Sequence, residues 1–328
     1  MTPLVSLADV QQAAARIRGV ARVTPLLDLS LAVPGSSVVR RLSVKCENLQ
    51  PGGAFKLRGA YNMLAQLTEA DRSRGVITYS SGNHGQSLAL AAHLLEARAV
   101  IVMPTTAPAV KVEGAKRYGA EVLFEGTTTL QRKARAEVEA EARGLTMVPP
   151  FDHPWIIAGQ GTIGLEIVEQ CADLGTVYVQ VGGGGLISGI AAAVKRLTPH
   201  VRVVGVEPCG APKMSTSLAA GHPVTLERTS SIADGLLAVR PGDLTFPHVQ
   251  ALVDDVVTVG DQGILDALRW LFRDAKLVVE PSGAITVAAA FAGAGGPGTG
   301  TAVAILSGGN VAPDAFAGYL TNGVASSH

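Results

Sequence analysis

Thr176-Val-Tyr-Val-Gln-Val-Gly-Gly-Gly-Gly-Leu-Ile-Ser-Gly-Ile-Ala-Ala-Ala-Val-Lys-Arg-Leu197 decides the fold. Its first six residues are mostly β-branched or aromatic and read as a strand. Four consecutive glycines, Gly182, Gly183, Gly184 and Gly185, follow, and the alanine-rich remainder has helical length. An apolar strand running through a glycine turn into a helix is the unit of a parallel sheet buried on both faces. Glycines at such a junction let backbone N–H groups approach an anion, and the helix N-terminus adds partial positive charge. The same glycines also suit a tight, sterically empty turn. The dinucleotide spacing asks for a third glycine where Ile187 or Ser188 stands. Glu207, at the end of the next strand, nevertheless occupies a position where a ribose-binding acid could lie, so a nicotinamide-dependent oxidoreductase stays open. The lysine and hydroxyl of a nucleotide-triphosphatase loop are absent, which argues against that class.

Outward from this unit the alternation repeats. Strands are expected at 75–80, 99–104, 121–126, 146–150, 201–207 and 301–307. Helices are expected at 86–97, 109–118, 130–143, 164–174 and 186–197. Ser6 followed by Asp9 reads as a capping box opening an N-terminal helix. The fold class is therefore α/β, with mostly parallel sheets flanked by helices. Loop signals at 69–75 and 148–154 suggest a small inserted α/β domain, 75–150, within a larger domain made of 1–74 and 151–328. Ligands of open α/β sheets sit beyond the strand C-termini, so the loops that follow strands should carry the chemistry.

The 328 residues are 47% hydrophobic and 16% charged, which rules out a disordered chain. Lys and Arg number 27, as do Asp and Glu, so no basic field exists to hold nucleic acid or acidic lipid. Cys46, Cys171 and Cys209 form no CxxC pair, and a reducing compartment fits better than a disulfide framework. The N-terminus has no signal-peptide pattern, and the cytoplasm is the expected location. Uncharged stretches at 174–194 and 281–313 are broken by glycines, so no membrane span is expected.

Three further loops stand out. In Gly53-Ala-Phe55-Lys56-Leu-Arg58 a single lysine follows a glycine turn, beside apolar neighbours that can desolvate its amine and lower its pKa. Ser80-Ser81-Gly82-Asn83-His84-Gly85, between a strand and a helix, offers hydroxyls, a carboxamide and helix-start N–H groups to a carboxylate. Ser307-Gly308-Gly309-Asn310 ends the last strand.

Together these motifs resemble the fold-type II pyridoxal 5′-phosphate enzymes, in the branch of threonine/serine dehydratases and serine racemases. The likeness runs from Thr24-Pro25-Leu26 through AFKLRGA (54–60), SSGNHGQ (80–86), AGQGT (158–162), VGGGGL (181–186), GVEP (205–208), ADG (233–235), VEPSGA (279–284) and LSGGN (306–310). The resemblance implies two open twisted sheets with pyridoxal 5′-phosphate in the cleft between domains, and a homodimer. It implies that Lys56 carries the Schiff base and Phe55 packs on the cofactor ring. Asn83 would meet the ring hydroxyl, Gly182, Gly183, Gly184 and Gly185 the phosphate, and Ser307 the pyridine nitrogen. Ser80, Ser81, Gly82, Asn83 and His84 would hold the substrate carboxylate. Ser81 also resembles the serine that works on the opposite ring face in racemases.

Departures from the pattern refine these expectations. Ala54 replaces the usual serine before Phe-Lys, removing one hydroxyl near the cofactor. Relatives with a divalent cation near the phosphate loop use a glutamate and an aspartate; here Glu207 is present, but Lys213 holds the second place. The Lys213 ammonium, paired with Glu207, is expected to stand in for the metal; a solvated Lys213 is the alternative. Phe151, where racemases tend to carry asparagine, can pack on a β-methyl group and favours threonine over serine. The chain ends at His328, soon after LSGGN, so no feedback-regulatory domain is expected. Asp234 and Glu280 are acids near glycines that either orient the cofactor or make structural links. The expected reaction is loss of water from a small hydroxy amino acid, L-threonine to 2-oxobutyrate and ammonia, with L-serine as a side substrate. Serine racemase, or a specialised dehydratase of 3-hydroxyaspartate or similar, is the alternative.

Overall fold

The computed structural model describes residues 3–35, 37–38, 41–80, 82–107, 109–296 and 299–321. Ten strands build two sheets among these residues. Strands β1 (Leu26–Asp28), β2 (Leu42–Lys45), β7 (Leu174–Gln180), β8 (Arg202–Pro208), β9 (Asp255–Val259) and β10 (Thr301–Ile305) form one, in the order β1-β2-β10-β7-β8-β9. Strands β3 (Val76–Thr78), β4 (Ala99–Met103), β5 (Glu121–Phe124) and β6 (Thr146–Met147) form the other, in the order β5-β4-β3-β6. Every pairing is parallel except β1 on β2, at the edge.

The larger sheet explains its own sequence. All of β7 is buried, and its side chains alternate between two cores. Tyr178 joins Val204, Val206 and Ala304 under the helices Asp261–Arg273 and Pro281–Phe291. Val177 and Val179 join Val203, Val303 and Ile305 under the helix Gly185–Leu197. A surface wet on one side would have required polar residues at every second position.

Several boundaries differ from the sequence reading. The helix expected at 164–174 runs instead over Pro154–Gln170, and Leu174 begins β7. Its glycines are contact points rather than breakers. A β-carbon on Gly159 would lie 2.6 Å from the Gly59 Cα, and one on Gly161 would lie 2.8 Å from the Gly189 carbonyl oxygen. The AGQGT stretch is thus where three helices press backbone against backbone. Strands β1, β2 and β9 went unread: β1 and β9 are the edges of the sheet, and β2 sets Ser43 and Lys45 between its apolar residues. No helix among the described residues is long and apolar enough to cross a membrane.

Candidate active site

The loops after β2, β3, β7 and β10 all open onto one cavity of about 960 Å³ at the C-terminal ends of the strands. Lys56, Phe55, Ser80, Gly82, Asn83, His84, Phe151, Gly182, Gly183, Gly184, Gly185 and Ser307 all line it. Ser81 lies outside the described residues.

Lys56 begins the helix Lys56–Leu64, and Phe55 is its N-cap. The Phe55 N–H donates to the Ser307 carbonyl at 3.0 Å, which ties the lysine turn to the end of β10. The Lys56 Nζ donates to the Pro150 carbonyl at 2.6 Å and lies 5.1 Å from the centre of the Phe55 ring. No carboxylate pairs with it among the described residues, and burial pulls its amine down to about 8. A free amine in useful amount at neutral pH is a nucleophile and a base.

The glycine loop is held from beneath and from one side. Gly184 has φ +101°, a conformation that side chains resist, and Gly185 opens the helix Gly185–Leu197. The first N–H groups of that helix have no intrahelical acceptor, and Gly184, Gly185 and Leu186 line the cavity. The Phe151 ring covers Gly183 so closely that any β-carbon there would overlap it. Thr245 donates its hydroxyl to the Gly183 carbonyl at 2.6 Å. Asp152 in turn accepts from the N–H groups of Asp243 and Leu244, both at 2.9 Å, fixing the segment that carries Thr245.

Beneath the loop lies a fully buried cation. The Lys213 Nζ sits 3.0 Å from Glu207 Oε1 and donates to the carbonyls of Val181, Ala211 and Leu236 at 2.6, 3.1 and 3.0 Å. Lys213 is therefore not solvated. Burial pulls its pKa down, and Glu207 opposes that shift. Glu207 also accepts from the N–H groups of Met214 and Ser215 at 2.8 and 2.9 Å. Buried and occupied in this way, it does not line the cavity and cannot receive a ribose, which removes the support for the nicotinamide reading.

Asn83 and His84, which also line the cavity, begin the helix Asn83–Leu94. The His84 Nε2 meets the Val148 carbonyl at 3.1 Å, so Nε2 carries a proton, and the buried Nδ1 finds no hydrogen-bond partner among the described residues. Burial first, then the Lys56 charge, lower this imidazole to about 3. A neutral His84 offers a carboxylate its helix-start N–H rather than a charge. Asn83 is gripped at both ends. Its Nδ2 donates to Glu280 Oε1 at 2.6 Å, and its Oδ1 accepts from Asn310 Nδ2 at 2.9 Å.

Residues 17–308 match the family model described as "Pyridoxal-phosphate dependent enzyme". The chain belongs to that family. It is 40% identical to an L-threonine ammonia-lyase of Thermotoga maritima, over 99% of this chain and 80% of that protein. It is also 40% identical to an L-threo-3-hydroxyaspartate ammonia-lyase of a Pseudomonas, over 97% of this chain and 99% of that one. Among solved structures, maize serine racemase superposes with a TM-score of 0.90 at 39% identity, covering 95% of this chain and 96% of the other.

The cavity fits the cofactor of this family. An amine without a carboxylate partner shares it with a glycine loop at a helix N-terminus, which suits an aldehyde at one end and a phosphate at the other. Some lining residues escaped the sequence reading. Lys111, Arg117 and Arg132 come from the helices and loops around the four-stranded sheet, and their spacing gives no motif. Thr245 and Asp152 act on the loop from a distance in sequence that no local pattern reveals.

Proposed function

We propose that this enzyme eliminates water from a small hydroxy amino acid, L-threonine foremost, giving 2-oxobutyrate and ammonia, with L-serine as a slower substrate. The observation that carries this reading is Lys56: an amine lowered to about 8, facing the cavity that the glycine loop also faces. Bound pyridoxal phosphate supplies an electron sink that acidifies the substrate Cα–H bond. Lys56 would hold the cofactor, and its lowered amine would take the Cα proton of the substrate. Gly182, Gly183, Gly184 and Gly185 hold the phosphate through N–H groups, Asn83 meets the ring hydroxyl, and Ser307 meets the pyridine nitrogen. A serine at that nitrogen, unlike a carboxylate, does not hold a proton on the ring, which suits rapid loss of the β-hydroxyl. Ser80, Gly82 and the start of the helix Asn83–Leu94 receive the substrate carboxylate, with Ser81 beside them. Phe151 offers a ring edge to a β-methyl group. Segment 75–150 acts as the small domain over the cleft.

The Lys213 ammonium, held by Glu207 and three carbonyls, does the work of a divalent cation under the phosphate loop. Turnover should therefore survive EDTA. A second reading has its own observation. Arg132 lines the same cavity, and among the described residues it makes no ion pair. Its free charge suits a second carboxylate, as in 3-hydroxyaspartate.

Release of 2-oxo acid from L-threonine, L-serine, D-serine and 3-hydroxyaspartate, with and without EDTA, tests both readings. Preference for L-threonine supports the first. Preference for 3-hydroxyaspartate, lost in Arg132→Ala, supports the second. Lys56→Ala should lower turnover roughly 10³-fold or more; near-normal turnover would defeat the mechanism.

A further inference from the structure

Glu280 is a buried acid of this cavity that the reaction above leaves without a task. It is the N-cap of the helix Pro281–Phe291, only 5% exposed, and it lines the cavity. The fold makes room for it. A β-carbon on Gly308 would collide with its Oε1 and lie 2.9 Å from the Asn83 Nδ2, so the first glycine of the SGGN loop is the space in which these two side chains meet. The Glu280 N–H donates to the Gly308 carbonyl at 3.1 Å, which locks the helix start against the same loop. Among the described residues no cation forms an ion pair with Glu280, and its one side-chain bond is from Asn83.

The orientation of Asn83 follows from its two neighbours. Asn310 donates from Nδ2 to the Gly52 carbonyl at 2.8 Å and to Asn83 Oδ1 at 2.9 Å. Turning the Asn83 carboxamide over would set its NH₂ against the Asn310 NH₂ and its oxygen against the Glu280 carboxyl. With Oδ1 and one N–H of Nδ2 committed, a single N–H of Asn83 remains for another acceptor.

We propose that Glu280 is a positioning residue of the cofactor cradle, acting through Asn83 to aim that remaining N–H at the cofactor's ring hydroxyl and to govern the charge on that side of the ring. The inference rests on the reading that Lys56 holds the cofactor and Asn83 faces its ring hydroxyl. The charge follows from the surroundings. Burial chiefly, and the Asp234 carboxylate second, push Glu280 up to about 8, against the Asn83 hydrogen bond and the Lys111 ammonium. At neutral pH the group holds its proton and leaves a negative ring oxygen unopposed. Above pH 8 it becomes a carboxylate on the far side of the Asn83 NH₂ from that oxygen and opposes its ionisation.

The test uses the holoenzyme. The visible absorption of the bound cofactor should change with pH around a midpoint near 8. Glu280→Gln, which keeps an acceptor for Asn83 but cannot ionise, should hold the low-pH spectrum throughout and keep cofactor affinity within a few-fold. Glu280→Ala, which frees the Asn83 carboxamide, should loosen the cofactor about tenfold, read as a dissociation constant. In an Asn83→Ala background the Glu280→Gln change should leave the spectrum unmoved, because the path is gone. The same pH dependence in Glu280→Gln as in the parent enzyme would overturn the inference. So would a Glu280→Gln effect of full size without Asn83. A visible band that persists in Lys56→Ala would instead defeat the reading of Lys56 itself, a distinct failure.

Discussion

A lysine amine near 8 has a consequence for how the enzyme is assembled. Attack on the cofactor's aldehyde needs the unprotonated amine, and the unliganded protein holds Lys56 largely protonated below pH 8. The rate at which apoenzyme regains its visible band on adding pyridoxal phosphate should therefore rise about tenfold per pH unit below 8 and level off above it. Stopped-flow absorbance from pH 6 to 9.5 reads this directly. A rate that still rose about tenfold per unit up to pH 9.5 would mean that Lys56 does not carry the lowered pKa. His84, lowered to about 3 and tied to the Val148 carbonyl, should add no step to the profile. The glycines and the serine of this site stand in loops after strands that the sequence made legible, whereas Lys56 was marked by its glycine turn and by the resemblance, the strand before it having gone unread. Glu280 was noticed there but not understood. Its meaning depends on Asn83, 197 positions away, and on a glycine whose empty side chain makes their contact possible.

Among the elements, a buried ionic cluster decides where Lys56 sits. Arg58, on the helix that Lys56 begins, donates from Nε and Nη2 to the two oxygens of Glu47 at 2.8 Å each. It also binds Glu166 at 2.6 and 3.0 Å and the Thr162 hydroxyl at 3.1 Å. Lys45 from β2 reaches the same Glu166 and the Thr24 carbonyl at 2.7 Å. Strand β2, the lysine helix and the helix Pro154–Gln170 are thereby clipped together. Burial alone would raise Glu47, but the Arg58 guanidinium beside it holds the carboxyl below the usual range. A depressed carboxyl contributes stability that is present above its unfolded pKa and lost as pH falls through the folded one. Unfolding in urea should show this loss below about pH 4.5. Arg58→Met leaves Glu47 without its bidentate partner and should cost about 3–5 kcal/mol in the same assay at pH 7. A cost near zero would mean the cluster is dispensable. This helix packing was the least legible part of the fold, since glycines that let helices touch look in sequence like glycines that break them. Gly159 and Gly161 can be told apart from breakers only once Gly59 and Gly189 are seen opposite them.

At the scale of the whole molecule, residues from beside both sheets line the one cavity, and an ion pair joins the two sides. Lys111, on the helix Ala109–Lys116 beside the four-stranded sheet, donates to Asp234 Oδ2 at 2.9 Å, and Asp234 belongs to the larger sheet's side. The alternation of strands and helices made the four-stranded sheet and three strands of the larger one readable, but a contact between residues 123 positions apart left no trace in either pattern. Asp234 is well exposed, so the pair adds little to stability. Its effect lies inward, since both charges act on Glu280 with opposite sign. Asp234→Asn removes the anion that helps keep Glu280 protonated, so the midpoint of the cofactor's spectral titration should fall. Lys111→Ala removes the opposing cation, so the midpoint should rise. Added salt screens charges at the mouth more than charges at the floor, and it should draw the two variants' midpoints back toward the parent value. Shifts in the same direction for both variants would show that the mouth acts through closure of the cleft rather than through its charges. Opposite shifts that shrink with salt would tie the proton on Glu280 electrostatically to the bridge between the two halves of the molecule.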